Sequence, residues 1–498
     1  MKRTRREAVF GGRSLLRYSM GHAGFSGTSA EEDDFFRAVD VRAATLPLNK
    51  AAFERAVTLG HGRAEHAKAH GIDGHKAFVE HATLHSLAYD TQCEGDRAQW
   101  MVGLIEAAGA LDRLAPRIIE GVATPPEGDY PFWHLCQRAG VMGELARRGY
   151  GGARSALYGL FDKSKTTVDL IGGHEIIALD GSDGLLFVCD ALGRLLARDP
   201  DTCVDQQPIR VYDETHGDGA AMLVLESARG FNGDIARYLD RLHADEVEIE
   251  QSQSAKGPYL KLADVVFDED AARRREGRYA DRTLQNVLEW VNANRDVRYG
   301  GWLRAWGMHN ASDDDLDGVI GAIEGASDPR AIQLLLCVFG RRAMPRITDE
   351  ILALCRHNDE WVRRRVYQAL SNCDDERVRE VGLSLLGTDR VVEGAISLFE
   401  ASYRVGDHEA IERAMRLVND RDDLHRMLFD LVDVFETRSI PECRRLLMFV
   451  YGHTPCGNCR GKAIEIMRNA SVLPDWIASE ARNDSQEDIR EEVGDGGS

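Results

Sequence analysis

Proline is scarce in this chain, with 13 residues in 498. Each proline removes a backbone donor and clashes with the preceding turn, so its scarcity leaves long stretches free to be helical. Sustained strand-like alternation of apolar and polar residues is also missing over those stretches. No run approaches the ~18 continuous apolar residues that a membrane-crossing helix needs, so no span is expected. The sequence contains no phosphate loop ending in Gly-Lys-Ser/Thr, no Gly-x-Ser-x-Gly elbow and no His-Glu-x-x-His. The nucleotide hydrolases, serine hydrolases and metalloproteases that carry those motifs are therefore disfavoured.

Positive charge is in deficit too. Lys and Arg number 62 against 82 acids, a net charge of −20. Such a surface repels phosphate backbones, which makes nucleic acid an unfavourable partner and a neutral or basic protein a favourable one. The exception is the start: residues 1–17 hold six Lys or Arg and one Glu. Residues 1–34 read as a basic, disordered arm. The ten cysteines are scattered through apolar helical runs, as at Cys337, Cys355 and Cys373. Scattered thiols suit a reducing compartment better than a disulfide framework, and a cytoplasmic location is expected.

What is present is a repeated phrase. Asp359 is followed by Val362, Arg363, Val366, Ala369 and Leu370; Asp375 by Val378, Arg379, Gly382, Leu385 and Leu386; Asp389 by Val392, Glu393, Ile396 and Phe399. Apolar offsets of three, seven, ten and eleven form one stripe on a helix with 3.6 residues per turn. The leading Asp stands where an N-cap belongs, its carboxylate facing unpaired N–H groups and the positive end of the helix dipole. Asp328, followed by Pro329, Asp422, and Thr454, followed by Pro455, open similar helices. The openings at 328, 359, 389, 422 and 454 are evenly stepped, with a partner helix between each and the next. A period of roughly 30 residues with two helices per unit predicts an all-α fold, an α-solenoid of stacked antiparallel helix pairs.

The D-x-x-V-R phrase with its apolar stripe resembles HEAT repeats, in particular the short bacterial kind related to phycobilisome-lyase-type repeats. The resemblance covers residues 312–474 best and specifies a fold, not an activity. It implies a HEAT/armadillo-like superhelix in which Asp and Arg form hydrogen-bond ladders between units, here Asp359, Arg363, Asp375 and Arg379. At Glu393 an acid replaces the Arg. The protein so described is a non-catalytic scaffold that binds a protein or peptide along its concave face.

Elsewhere the chain divides by pattern. Residues 35–200 read as an irregular helical array. Residues 201–311 read as a connector in which loops, including the turn-rich stretch from Pro200 and the polar stretch from Ala244, flank a helix at 220–243 and precede a long one. From Asp475 the chain holds eight acids and two arginines, so 475–498 reads as a disordered acidic tail.

Three stretches carry chemistry-bearing residues. His66 with His70, and His81 with His85, are i,i+4 pairs that together offer four imidazoles to one zinc-type ion; against this stands a reading of surface and half-buried histidines. Cys456 and Cys459 form a C-x-x-C at a helix start, with His453 three residues upstream, a metal or redox pair in one reading and a tightly packed repeat helix in the other. Trp302 and Trp306 precede Asp313, Asp314, Asp315 and Asp317. Aromatics and carboxylates together resemble the base-gripping groove of HEAT-like alkylpurine DNA glycosylases, whereas the acidic surroundings favour core tryptophans before a capping turn. No catalytic residue and no cofactor is expected, zinc being the one ion these ligands suit. The alternatives to a scaffold are thus a DNA-processing enzyme and a metal- or redox-responsive adaptor.

Overall fold

A computed structural model describes residues 50–494, apart from 90–93, 125–130, 165–169, 203, 257–281, 298–299, 389–391, 416, 419–420, 437 and 439. The basic arm at 1–34 and the cap at Asp389 lie outside the described residues. Every regular element among the described residues is helical, and none of these helices is long and apolar enough to cross a membrane. The chain forms two compact units, one of Met1–Lys261 together with Trp476–Ser498, the other of Leu262–Asp475.

The first unit contains α1 (Lys50–Leu59), α2 (His66–His70), α3 (Lys76–Leu84), α4 (Arg97–Ala107), α5 (Leu111–Gly121) and α6 (Pro131–Arg147). They are followed by α7 (Ala153–Ser164), α8 (Gly173–Arg198), α9 (Gln207–His216), α10 (Ala220–Arg229) and α11 (Gly233–Lys256). Helix α8 breaks at Gly181, whose φ of 58° and ψ of −128° suit a residue without Cβ. Beyond the break, the hydroxyl of Ser182 bonds that of Tyr212 at 2.8 Å. Buried side chains stitch the carbonyl ends of neighbouring helices. The amide of Gln137 donates to Ala82 O (2.6 Å) and Thr83 O (3.0 Å), at the end of α3. The fully buried Arg138 guanidinium donates to Leu84 O (2.8 Å), Val122 O (3.3 Å) and Thr124 O. Carbonyls that a helix end leaves unpaired are thereby satisfied away from water.

Two expectations for the connector need correction. The turn-rich stretch after Pro200 contains α9, with Pro208 in its first turn and Gly217 closing it, and the polar stretch from Ala244 continues α11 to Lys256. Both α9 and α11 pack on α8, so 201–256 belongs with the first unit and is no separate connector. The stripe on α9 is narrow, Pro208 and Tyr212 being its buried residues, and a search for longer apolar runs passes over it.

The acidic end is also corrected: residues 475–494 are not disordered. They form α24 (Asp475–Ala481) and α25 (Glu487–Gly494), in which Ile477, Ala481, Ile489 and Val493 are buried at i,i+4 spacing. The backbone N–H of Ser485 donates to Gly60 O (2.8 Å), and the Trp100 indole donates to Asn483 O (2.8 Å). A Cβ on Gly62 would stand 1.8 Å from Glu480 O, so the approach at that point requires glycine. A sparse stripe suffices here because it meets a surface built elsewhere in the chain.

The second unit begins with α12 (Leu284–Ala293), α13 (Gly301–His309), α14 (Asp313–Glu324), α15 (Pro329–Leu336), α16 (Asp349–Ala353) and α17 (Glu360–Leu370). It continues with α18 (Glu376–Leu386), α19 (Phe399–Ser402), α20 (His408–Met415), α21 (Arg421–Glu436), α22 (Cys443–His453) and α23 (Gly457–Asn469). Its helix starts are written in the sequence. Ser312 and Asp315 form a reciprocal capping box, and Asp328, Thr348, Asp359 and Asp375 accept N–H groups of the helices they precede. Asp422 and Thr454 do not cap: α21 starts at Arg421, and α23 starts after Cys456. Successive helices touch in two series. One runs α15, α17, the turn Ala395–Leu398, α21, α23; the other includes α14 with α16, and α18 with α20 and then α22.

Side-chain links join residues about one period apart. Gln333 donates to Asp359 Oδ1 (3.1 Å), Arg364 to Glu393 (2.5 Å), Arg342 to Asp313 (2.8 Å) and Arg445 to Glu412 (2.8 Å). Arg379 grips both carboxylate oxygens of Asp407, whose side chain is 2% exposed, at 2.7–3.1 Å. Glu393, the residue that departs from the repeated phrase, accepts from Arg364 on one side and Arg426 (2.7 Å) on the other.

Candidate functional site

Of the four ladder residues, two reach another helix pair. Asp359 is met by Gln333, and Arg379 by Asp407. Arg363 turns back onto His357 O (2.7 Å) and Asn358 O (3.0 Å), and Asp375 pairs locally with Arg377 (2.8 Å). Hydrogen bonding from Asp407 is the largest influence raising the Arg379 pKa, while Arg377 holds the Asp375 carboxyl below its usual range.

The tryptophans do not offer a groove. Trp306 is fully buried and its indole N–H donates to Arg282 O (2.8 Å). Trp302 is half-buried, edge-on to Trp290 with ring centres 5.3 Å apart and beneath the Arg282 guanidinium. The acids that follow serve the fold: Asp315 caps α14, Asp313 pairs with Arg342 (2.8 Å), and Asp317 pairs with Arg346.

Of the two histidine pairs, three side chains are described. His70 and His81 are exposed, and the side chain of His66 lies outside the described residues. His81 stacks on His85 at 4.2 Å, and His85 meets His134 edge-on at 5.3 Å. Nothing in the sequence around His134 marks it as a member of this group. Its Nδ1 accepts the Ser86 N–H at 2.9 Å, and burial first, then the charges of His85, Arg138 and His81, push its pKa down to about 4. Among the described residues, His70, His81 and His85 do not form a group that could hold an ion.

The cysteine pair is different. Cys456 directly precedes α23 with extended backbone, and Cys459 lies one turn in, so both sulfurs fall at the helix start. The turn is fixed by Thr454 Oγ1, which accepts the Cys456 N–H at 3.2 Å. The third member is His425 of α21, not His453. His453 stacks on Phe449 at 3.9 Å, with Nδ1 3.0 Å from the Phe449 carbonyl oxygen. Ligand atoms of His425, Cys456 and Cys459 all lie within 4.8 Å of one another, the one such His/Cys/Asp/Glu group among the described residues. His425 stands one repeat period before Cys456, and that spacing is the signal a search confined to near neighbours misses.

Thiol chemistry sets this site apart from the other buried cysteines. Burial pushes the Cys355 thiol up to about 12 and the Cys443 thiol up to about 11. Cys456 goes the other way, down to about 4, because hydrogen bonding from Cys459, aided by His425, outweighs its burial. Cys459 is pushed up, first by its bond to Cys456 and then by burial. Two sulfurs and a nitrogen suit a soft or borderline metal ion or a dithiol. No family model matches the chain, and neither a curated protein nor a solved structure matches it.

Proposed function

We propose that residues 312–474 form an α-solenoid of the HEAT-like kind and that the protein is a non-catalytic scaffold holding a protein or peptide partner along its concave face. The observation that supports this reading is the period of the tertiary links: Gln333–Asp359, Arg364–Glu393 and Arg379–Asp407 span 26, 29 and 28 residues. Links of one period are what stacked units make, since each unit packs on its neighbours alone. Such a stack presents an extended row of helices to a partner. Trp361 on α17 and Phe429 on α21 are large apolar side chains left 39% and 38% exposed on that row, the kind of residue that anchors protein interfaces. The charge of −20 favours a neutral or basic partner. A DNA-processing role lacks its gripping residue, because Trp306 is inside the fold.

The test places a photoreactive residue at Trp361 or at Phe429 in the full chain, with Leu223 of the first unit as control, in cells of the native host. The same protein crosslinked from both the Trp361 and the Phe429 positions and not from Leu223 supports the scaffold. Products with nothing in common between 361 and 429, or base excision from an alkylated duplex by the purified chain, would overturn it.

A further inference from the structure

Helix α21 meets the start of α23 at the His425, Cys456 and Cys459 cluster. The Sγ of Cys459 stands 3.5 Å from Nε2 of His425. With bonds of about 2.3 Å to sulfur and about 2.05 Å to nitrogen, a tetrahedral zinc ion holds such ligands about 3.5 Å apart. The observed separation is already that of an edge of a ligated tetrahedron. We propose that Cys456, Cys459 and His425 together bind one thiophilic metal ion, Zn2+ being the ion their donor set matches, with the fourth position left to water or an added ligand.

Two further features support the assignment. The first is chemical selection: two thiolates and an imidazole favour zinc over the hard cations, which take oxygen. The second is preorganisation. Cys456 and Cys459 are buried, the Thr454 hydroxyl fixes the turn that carries them, and His425 comes from a separate helix of the same unit. Bound there, the ion ties α21 to α23, elements one repeat period apart along the chain. The proposal does not depend on the scaffold reading, because a metal tie would serve any partner or none.

The experiment uses the reduced, full-length chain, stripped by chelator and titrated with Zn2+ and separately with Co2+. The expected result is one equivalent of zinc, a sulfur-to-cobalt charge-transfer band with tetrahedral ligand-field bands, and a melting temperature that rises with zinc. Removing a group that merely orients a ligand costs metal sites about 10–100-fold in affinity, so losing a ligand itself in Cys456→Ser, Cys459→Ser or His425→Gln should cost more than about 100-fold. Cys443→Ser, a buried thiol outside the cluster, should keep wild-type affinity. If the folded wild-type chain takes up no stoichiometric zinc and gives no tetrahedral cobalt spectrum, the site is not a metal site. Equal losses in Cys443→Ser and Cys459→Ser would overturn the assignment of ligands. A Cys456–Cys459 disulfide without metal, found by mass spectrometry after alkylation, would replace it with a redox pair.

Discussion

The two units are held together at different distances along the chain. In the second, polar links join residues 26–33 apart, from Gln333–Asp359 to Arg445–Glu412. In the first, Trp100 bonds Asn483, 383 residues away, while buried Gln137 and Arg138 reach back 55 and 54 residues to Ala82 and Leu84 at the end of α3. The links of the second unit join nearby helices, whereas the first is closed by a segment from the far end of the chain. Loop-closure entropy rises only slowly with length, so either plan is feasible, but they differ in what one substitution disturbs.

The largest effect is expected in the first unit. Arg138→Met fills the space but leaves three carbonyls at two helix ends without a donor, at a cost of about 4 kcal/mol. Urea unfolding followed by Trp fluorescence reads it; a loss below about 1 kcal/mol would mean water replaces the guanidinium. Next, Gly62→Ala places a methyl on the Glu480 carbonyl and should cost about 3 kcal/mol. Limited proteolysis should then release a fragment cut near Asn483, and resistance there would show that α24 and α25 are held by something else. In the second unit, Arg379→Ala leaves the buried Asp407 carboxylate without its clamp, and the loss should be about 2 kcal/mol. That lies below the range for fully buried pairs because Arg379 is itself 21% exposed.

The comparison sharpens with pH. His134 titrates near 4 when folded and near 6.5 when unfolded, so between those values the unfolded chain carries the extra proton. Its contribution to stability is complete above pH 6.5 and is lost as pH falls toward 4, because burial, and then the charges of His85, Arg138 and His81, disfavour the protonated ring. In His134→Gln that slope should flatten in the first unit, and an unchanged slope would assign the effect to other groups.

How much of this is legible in the sequence follows the same division. Asp359 and Asp375 announce their helices because a cap and an apolar stripe are local features, contained within one helix. The period is legible in part: Asp328 and Asp359 cap helices one step apart, while Asp422 and Thr454 stand at similar spacing and do not cap. What the sequence hides depends on contact between distant segments. The acidic stretch after Asp475 is too poor in apolar residues to fold alone, and only the surface around Gly60 and Trp100 makes it order. His453 lies nearer the cysteine pair along the chain, and its helix α22 also packs on α23, yet its ring turns onto Phe449 and the imidazole beside the thiols is His425 from α21. Tryptophans 302 and 306 share a helix, but their burial depends on Trp290 and on the Arg282 backbone, which no spacing rule supplies.

The central claim is that residues 312–474 are stacked units, each dependent on its neighbours alone. Native-state hydrogen exchange on wild type and Arg379→Ala tests it directly. Stacked units predict that protection falls most in α18 and α20 and fades toward α15 on one side and α23 on the other. A uniform loss from Asp313 to Asn469 would contradict it, since only a single closed core weakens everywhere at once.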